Sequence, residues 1–133
     1  PGVLRGRSDA LVYLYDLFPT ICELAGLKTP EGVEGKTLVP ILRGQQTKVR
    51  DFLVGAYRNW QRSIRDERWK LIQYDVKGVR TTQLFDLEDD PCETRNLAAD
   101  PRAAKHLKRL EALLKMGLRE AGDPVLPSDA PRN

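Results

Sequence analysis

Histidine occurs once in the 133 residues, at position 106, and cysteine twice, at 22 and 92. Any Ser-His-Asp or Cys-His device would have to use His106, with a second group holding it. It lies between Lys105 and Lys108, on a stretch that reads as helix, and is expected to face solvent. A zinc site needs three or four ligands of His/Cys type, which one histidine and two distant cysteines do not supply. Two cysteines are also too few for a disulfide scaffold, and sequence does not pair them. Cys22, beside Ile21, reads as a small buried hydrophobe. Cys92 sits among carboxylates that would raise its pKa, the wrong direction for a reactive thiolate. No apolar run approaches the ~20 residues of a membrane span. The net charge is only +3, with the cations spread along the chain, so neither a membrane nor nucleic acid is expected as partner. No secretory leader is legible, and the chain opens on Pro1.

What is present is the ordinary composition of a globular protein, 41% hydrophobic and 31% charged. Residues 10–15, A-L-V-Y-L-Y, form a continuous apolar run and predict a short strand buried on both faces. Asp16 then reads as an N-cap and Pro19 as a first-turn proline, with the helix running to Ala25 and stopping at Gly26. Leu17, Ile21, Leu24 and Ala25 fall on one face. Thr37 to Arg43 fits a short helical turn ended by Gly44, and 45–51 reads as exposed. From Phe52 the apolar period changes from 3.6 towards 2. Strands are expected over 52–57, 60–65, 68–74 and 81–87, with turns at Asp66-Glu67 and at Val76-Lys77-Gly78. Trp69, Leu71 and Gln73 would share one face; Lys70, Ile72 and Tyr74 the other. Asp100-Pro101 opens a final helix on an N-cap and a first-position proline. Ala103, Leu107, Leu110, Leu114 and Leu118 make its apolar stripe, which Gly122 and Pro124 end. The fold class is therefore α+β: an antiparallel sheet of about four strands packed against a long C-terminal helix, preceded by a strand-helix piece suited to a larger α/β sheet.

Two stretches invite a chemical reading. Asp86, Glu88, Asp89 and Asp90 crowd one turn, which suggests Ca²⁺. They lack the alternating ligands, central Gly and distal Glu of an EF-hand, and Asp before Pro favours a plain turn. In the second stretch, Tyr57, Arg58, Trp60, Gln61, Arg62 and Arg65 interleave guanidinium and aromatic groups. On a continuous strand Arg58, Trp60 and Arg62 would share a face and could hold an anion or a sugar. The competing reading is a solvated sheet face whose long side chains cover apolar surface.

Four segments, in order, resemble the sulfatase family, the arylsulfatase-like members of the alkaline-phosphatase superfamily, in its C-terminal region only. V-Y-L-Y-D-L-F-P-T-I-C-E-L-A-G-L (12–27) resembles the family's D-x-x-P-T-x-x-x-x-A-G helix. E-G-V-E-G-K-T-L-V-P-I-L-R-G (31–44) is similar to its G-x-S-L-x-P-L-L-x-G segment, with Thr37 for the usual Ser. R-S-I-R-D-E-R-W-K-L-I-Q-Y (62–74) resembles the R-x-x-R-x-x-x-x-K-L-I strand pair. Q-L-F-D-L-E-D-D-P-C-E-T-R-N-L-A (83–98) resembles E-L-Y-D-L-x-x-D-P-x-E-x-x-N-L-A.

The resemblance implies the end of the large N-terminal domain with its connecting loop over 1–51, a C-terminal sulfatase subdomain over 52–122, and a flexible tail over 123–133. It implies a parent sulfuric ester hydrolase that uses Ca²⁺ and formylglycine, acts on a sulfated substrate such as a glycan, and works in the periplasm or outside the cell. Neither cysteine lies in the family's C/S-x-P-x-R motif, so no catalytic residue and no metal ligand carries over. The expected role is a structural subdomain that supports the substrate cleft without the catalytic centre. The rest of the parent chain would be its partner, and Arg58, Gln61 and Arg62 would turn towards the substrate. Self-association through the 10–27 surface is expected of the piece by itself. The alternative is a stand-alone binding module for a sulfated or acidic glycan.

Overall fold

A computed structural model describes residues 6–124; of the tail expected over 123–133, residues 125–133 lie outside them. The chain divides into two compact units between Leu53 and Val54.

In the first unit the strand expected over 10–15 does not form. The backbone is irregular to Tyr13 and then turns into a 3-10 helix, Leu14–Asp16, that runs straight into α1 (Leu17–Leu24). A strand needs a hydrogen-bonding neighbour, and the described residues 6–52 hold no strand for it to pair with. Asp16 is accordingly no N-cap. Its backbone is already helical and its carboxylate is fully buried. Pro19 does sit in the first turn of α1, and the helix ends as predicted: Gly26 takes φ +71° and the Leu27 N–H donates to the Cys22 carbonyl at 2.8 Å. The helix buries Pro19, Thr20 and Cys22. The apolar stripe read from periodicity points outward instead: Leu17, Ile21 and Leu24 are each about half exposed or more, and Ala25 is exposed too. A four-residue helix, α2 (Val39–Leu42), buries Val39.

The second unit carries a four-stranded antiparallel sheet in the order β1 (Leu53–Tyr57), β2 (Gln61–Arg65), β3 (Trp69–Val76), β4 (Val79–Asp86). The β3–β4 connection is a two-residue hairpin loop in which Lys77 and Gly78 both take positive φ, the combination whose twist matches the flanking strands. Register aligns Ile64, Leu71 and Leu84 across three strands, and none of the three exposes any surface. The final helix begins as a 3-10 turn, Pro101–Ala103, and continues as α3 (Ala104–Glu120). Asp100 caps it by accepting the Arg102 N–H at 2.9 Å. Ala103, Leu107, Leu110, Leu114 and Leu118 are all buried, as their spacing predicts. The core is this stripe laid on the Ile64–Leu71–Leu84 face.

Candidate functional site

The cationic-aromatic stretch does not form one strand. The chain turns after Tyr57, and β2 starts only at Gln61. Arg58, expected on a strand face with Trp60 and Arg62, sits in the turn with φ +49°. The Trp60 N–H closes that turn on the Tyr57 carbonyl at 3.2 Å, and the Trp60 carbonyl accepts the Asp75 N–H of β3 at 2.8 Å. Left-handed backbone is costly for an arginine and cheap for glycine. A strained, exposed turn is where a functional side chain is commonly held.

Tyr57 and Trp60 meet edge to face with ring centroids 6.1 Å apart. The Arg58 guanidinium lies 5.0 Å from the Trp60 ring centre and 5.8 Å from that of Tyr57. No carboxylate pairs with it among the described residues. An unpaired guanidinium over two half-exposed rings can take an anion by charged hydrogen bonds, while the rings can stack on a sugar.

Arg62 is placed differently. It is 7% exposed and faces α3. Its Nε and Nη2 meet the two carboxylate oxygens of Asp123 at 2.8 and 2.9 Å. Its Nη1 donates to the carbonyls of Arg58 at 2.6 Å and Gln61 at 2.8 Å. Gln61, half-buried at the start of β2, pairs in register with Tyr74. Thus Arg58 is presented to solvent, Gln61 borders the turn, and Arg62 lies beneath it.

The acids at 86–90 are a structural knot. The Asp86 carboxylate receives Nε and Nη2 of Arg68 at 2.9 and 2.7 Å. Arg68 also reaches Glu88 at 2.5 Å and Asp89 at 3.6 Å. The Arg68 guanidinium holds the Asp86 carboxyl below its ordinary pKa against the cost of burial. Asp90 accepts the Thr94 hydroxyl and the Arg95 N–H. These carboxylates are turned onto arginine and their own backbone, so their donor set does not fit the Ca²⁺ that their crowding in one turn suggested. Neither cysteine fits formylglycine: Cys22 is buried and precedes Glu-Leu-Ala-Gly, and Cys92 precedes Glu-Thr-Arg-Asn.

His106, expected in open solvent, stacks on Trp69 with ring centres 4.0 Å apart. Burial, then Lys105, Arg109 and Arg68, lower its pKa. Arg50, expected in an exposed stretch, folds onto Asp16, engaging both its oxygens. Asp16 also accepts the N–H groups of Tyr13 at 2.7 Å and Lys36 at 2.9 Å. Burial opposes its ionisation, but these donors prevail and hold the carboxyl below its usual value. Thr20 extends the knot, donating to the Asp16 carbonyl and accepting the Leu38 N–H. The Asp-x-x-Pro-Thr and Gly-Lys-Thr-Leu segments are therefore two halves of one lock.

Sequence reading missed the Arg62–Asp123 and Arg50–Asp16 pairs because no local pattern links residues so far apart. It also missed the part Asn96 plays. The Asn96 carboxamide accepts the N–H groups of Leu84 and Ala98 and donates to the Thr82 carbonyl. The Leu97 N–H meets the Leu84 carbonyl at 2.8 Å, so the loop closes the outer edge of β4. Among the described residues no helix is long and apolar enough to cross a membrane.

Comparison with known proteins agrees with this geometry. The family described as N-sulphoglucosamine sulphohydrolase, C-terminal, matches residues 3–120. An uncharacterized protein of Haemophilus influenzae is 29% identical over 121 residues, covering 90% of this chain and 62% of that protein. A Delta 4,5-hexuronate-2-O-sulfatase of Bacteroides thetaiotaomicron is 36% identical over 107 residues, covering 74% of this chain but 22% of the enzyme. The solved structure of a 2-O GAG sulfatase superposes with a TM-score of 0.75 at 32% identity, over 92% of this chain and 29% of that one. The chain thus spans between about a fifth and under two thirds of these relatives.

Proposed function

Because this chain belongs to the N-sulphoglucosamine sulphohydrolase C-terminal family, we propose that it works as the C-terminal subdomain of a sulfuric ester hydrolase acting on a sulfated glycan. Its place is in walling the substrate cleft while the larger part of the enzyme supplies the chemistry. On this reading residues 1–51 complete the larger domain and 52–122 are the subdomain. Ca²⁺ and formylglycine belong to the larger domain, and the whole enzyme works in the periplasm or outside the cell. The rest of the enzyme covers the apolar stripe of α1, which would otherwise favour self-association.

The observation that carries the cleft role is the Arg58 turn: a guanidinium with no carboxylate partner among the described residues, held over Trp60 and Tyr57. The sulfate and carboxylate groups of a sulfated uronate suit the guanidinium, and its ring suits the aromatic faces. The substrate set is the 58–62 stretch, with Arg58 making the direct charged contact, Gln61 beside it and Arg62 beneath.

The isolated 133-residue chain is expected to turn over no aryl sulfate. In the full-length enzyme, Arg58→Ala is expected to lower kcat/KM for a 2-O-sulfated uronate disaccharide by at least tenfold. It should leave turnover of a small aryl sulfate, too short to reach the turn, nearly unchanged. Unaltered disaccharide kinetics in Arg58→Ala would refute the cleft role.

A further inference from the structure

The Arg58 turn is not self-supporting. It has one internal hydrogen bond, a long one from the Trp60 N–H to the Tyr57 carbonyl at 3.2 Å, and it keeps an arginine in left-handed backbone. We infer that Arg62 and Asp123 form a clamp that couples the end of α3 to the 58–60 turn, making them positioning residues for Arg58 rather than ligands of a substrate.

The chain of contacts runs through one buried guanidinium. Packing of Leu110, Leu114 and Leu118 fixes α3 against the sheet. The helix ends where Gly122 takes φ +64° and the Asp123 N–H turns back to the Leu118 carbonyl at 2.9 Å, a left-handed cap that aims the Asp123 side chain. That carboxylate, 12% exposed, accepts a hydrogen bond from Nη2 of Arg62 and forms an ion pair with its Nε at 2.8 Å, where Nε makes no hydrogen bond. The remaining nitrogen of Arg62 binds the carbonyls of Arg58, the left-handed residue itself, and of Gln61, where β2 begins. Only a planar fork can hold a carboxylate on one side and two carbonyls on the other; a lysine cannot span that set. Because both partners lie almost out of water, neither charge is easily left without the other.

The clamp also explains why an arginine occupies β2 on the face turned towards α3, in the same row as Ile64. A contact residue for a soluble anion would need its guanidinium free; this one is sealed from water, both terminal nitrogens are hydrogen-bonded and only Nε lacks a hydrogen bond. The inference rests on the proposed cleft role for what the turn presents, but the clamp itself stands on geometry alone.

The test uses the whole 133-residue chain with Asp123→Asn, Arg62→Lys and Arg62→Met. Amide exchange of Trp60 and of Asp75, whose N–H binds the Trp60 carbonyl, is expected to rise at least tenfold in each variant. Exchange at Leu71 in β3 and Leu114 in α3 should stay at the wild-type rate. Arg62→Lys keeps the charge and should fail to restore protection. Wild-type exchange at Trp60 and Asp75 would overturn the clamp. So would a parallel rise at Leu71 and Leu114, which marks a general staple of the domain. Asp123→Asn, which keeps a neutral acceptor, serves if Arg62→Met does not fold. Titration with a 2-O-sulfated uronate disaccharide separates the two ideas. Binding lost in Arg58→Ala and weakened at least fivefold in Asp123→Asn supports both. If the wild-type chain ignores the disaccharide, the cleft role loses its support while amide exchange still decides the clamp.

Discussion

Replacing Asn96 by alanine tests how the outer edge of the sheet is closed. Three hydrogen bonds disappear together: from the Leu84 N–H at 2.9 Å, from the Ala98 N–H at 3.0 Å, and to the Thr82 carbonyl at 3.0 Å. The last two are exposed and water can replace them, so each is worth about 0.5 kcal/mol. The Leu84 N–H is partly buried on a strand whose side chain is fully buried. Left unpaired, it costs about 1–2 kcal/mol. The expected loss is therefore roughly 2–3 kcal/mol, which at a typical urea slope moves the midpoint down by about 1–2 M. Trp60 and Trp69 both lie in the sheet unit, so tryptophan fluorescence follows its unfolding. Asn96→Asp keeps both acceptor contacts and loses only the donor, so it should cost about 1 kcal/mol or less. Leu84 amide exchange should accelerate in the alanine variant and not in the aspartate variant. A midpoint for Asn96→Ala within 0.2 M of wild type, or a Leu84 amide still fully protected, would refute the reasoning.

Two further predictions concern other parts of the chain. At Gly35 an added Cβ would stand 2.6 Å from the Tyr15 carbonyl and 3.0 Å from Pro19 Cγ. Gly35→Ala should therefore destabilise the first unit by about 1–3 kcal/mol and expose the Lys36 and Leu38 amides to exchange; unchanged exchange there would show that the lock tolerates the methyl. Asp100, bound by the Arg102 side chain and backbone N–H, has its carboxyl lowered from 3.8 to about 2. A lowered carboxylate contributes stability that is present above its unfolded value and lost as pH falls through its folded value. The first turn of the last helix should therefore fray between roughly pH 4 and pH 2, and an Asp100 titration observed near 3.8 by NMR would contradict the cap.

Most of the second unit was legible from local pattern. The leucine stripe of α3, the Asp100-Pro101 start and the alternation along β3 each depend on residues within a few positions of one another. Periodicity and capping report such short-range geometry directly. The first unit was harder to read. An apolar run such as 10–15 suits a buried strand or a helix entry equally, and a strand is decided only by a neighbour to pair with. The same lack of a neighbour explains α1. Its apolar face was correctly located, but burial depends on what packs against it, and within this unit the helix turns Pro19, Thr20 and Cys22 inward instead.

The amino-acid sequence by itself determined the family, the α+β class and the core of the sheet unit, because motif spacing and side-chain period are properties of the chain. Tertiary structure decided the charges. Arg58 and Arg62 stand four residues apart with the same chemistry. One is held over aromatic rings at the surface, and the other is sealed against a carboxylate 61 positions away. Asp86, Glu88 and Asp89 became a clasp for Arg68 rather than a metal site. A charged side chain takes its function from the partner and the dielectric around it, and both are set by segments that only folding brings together.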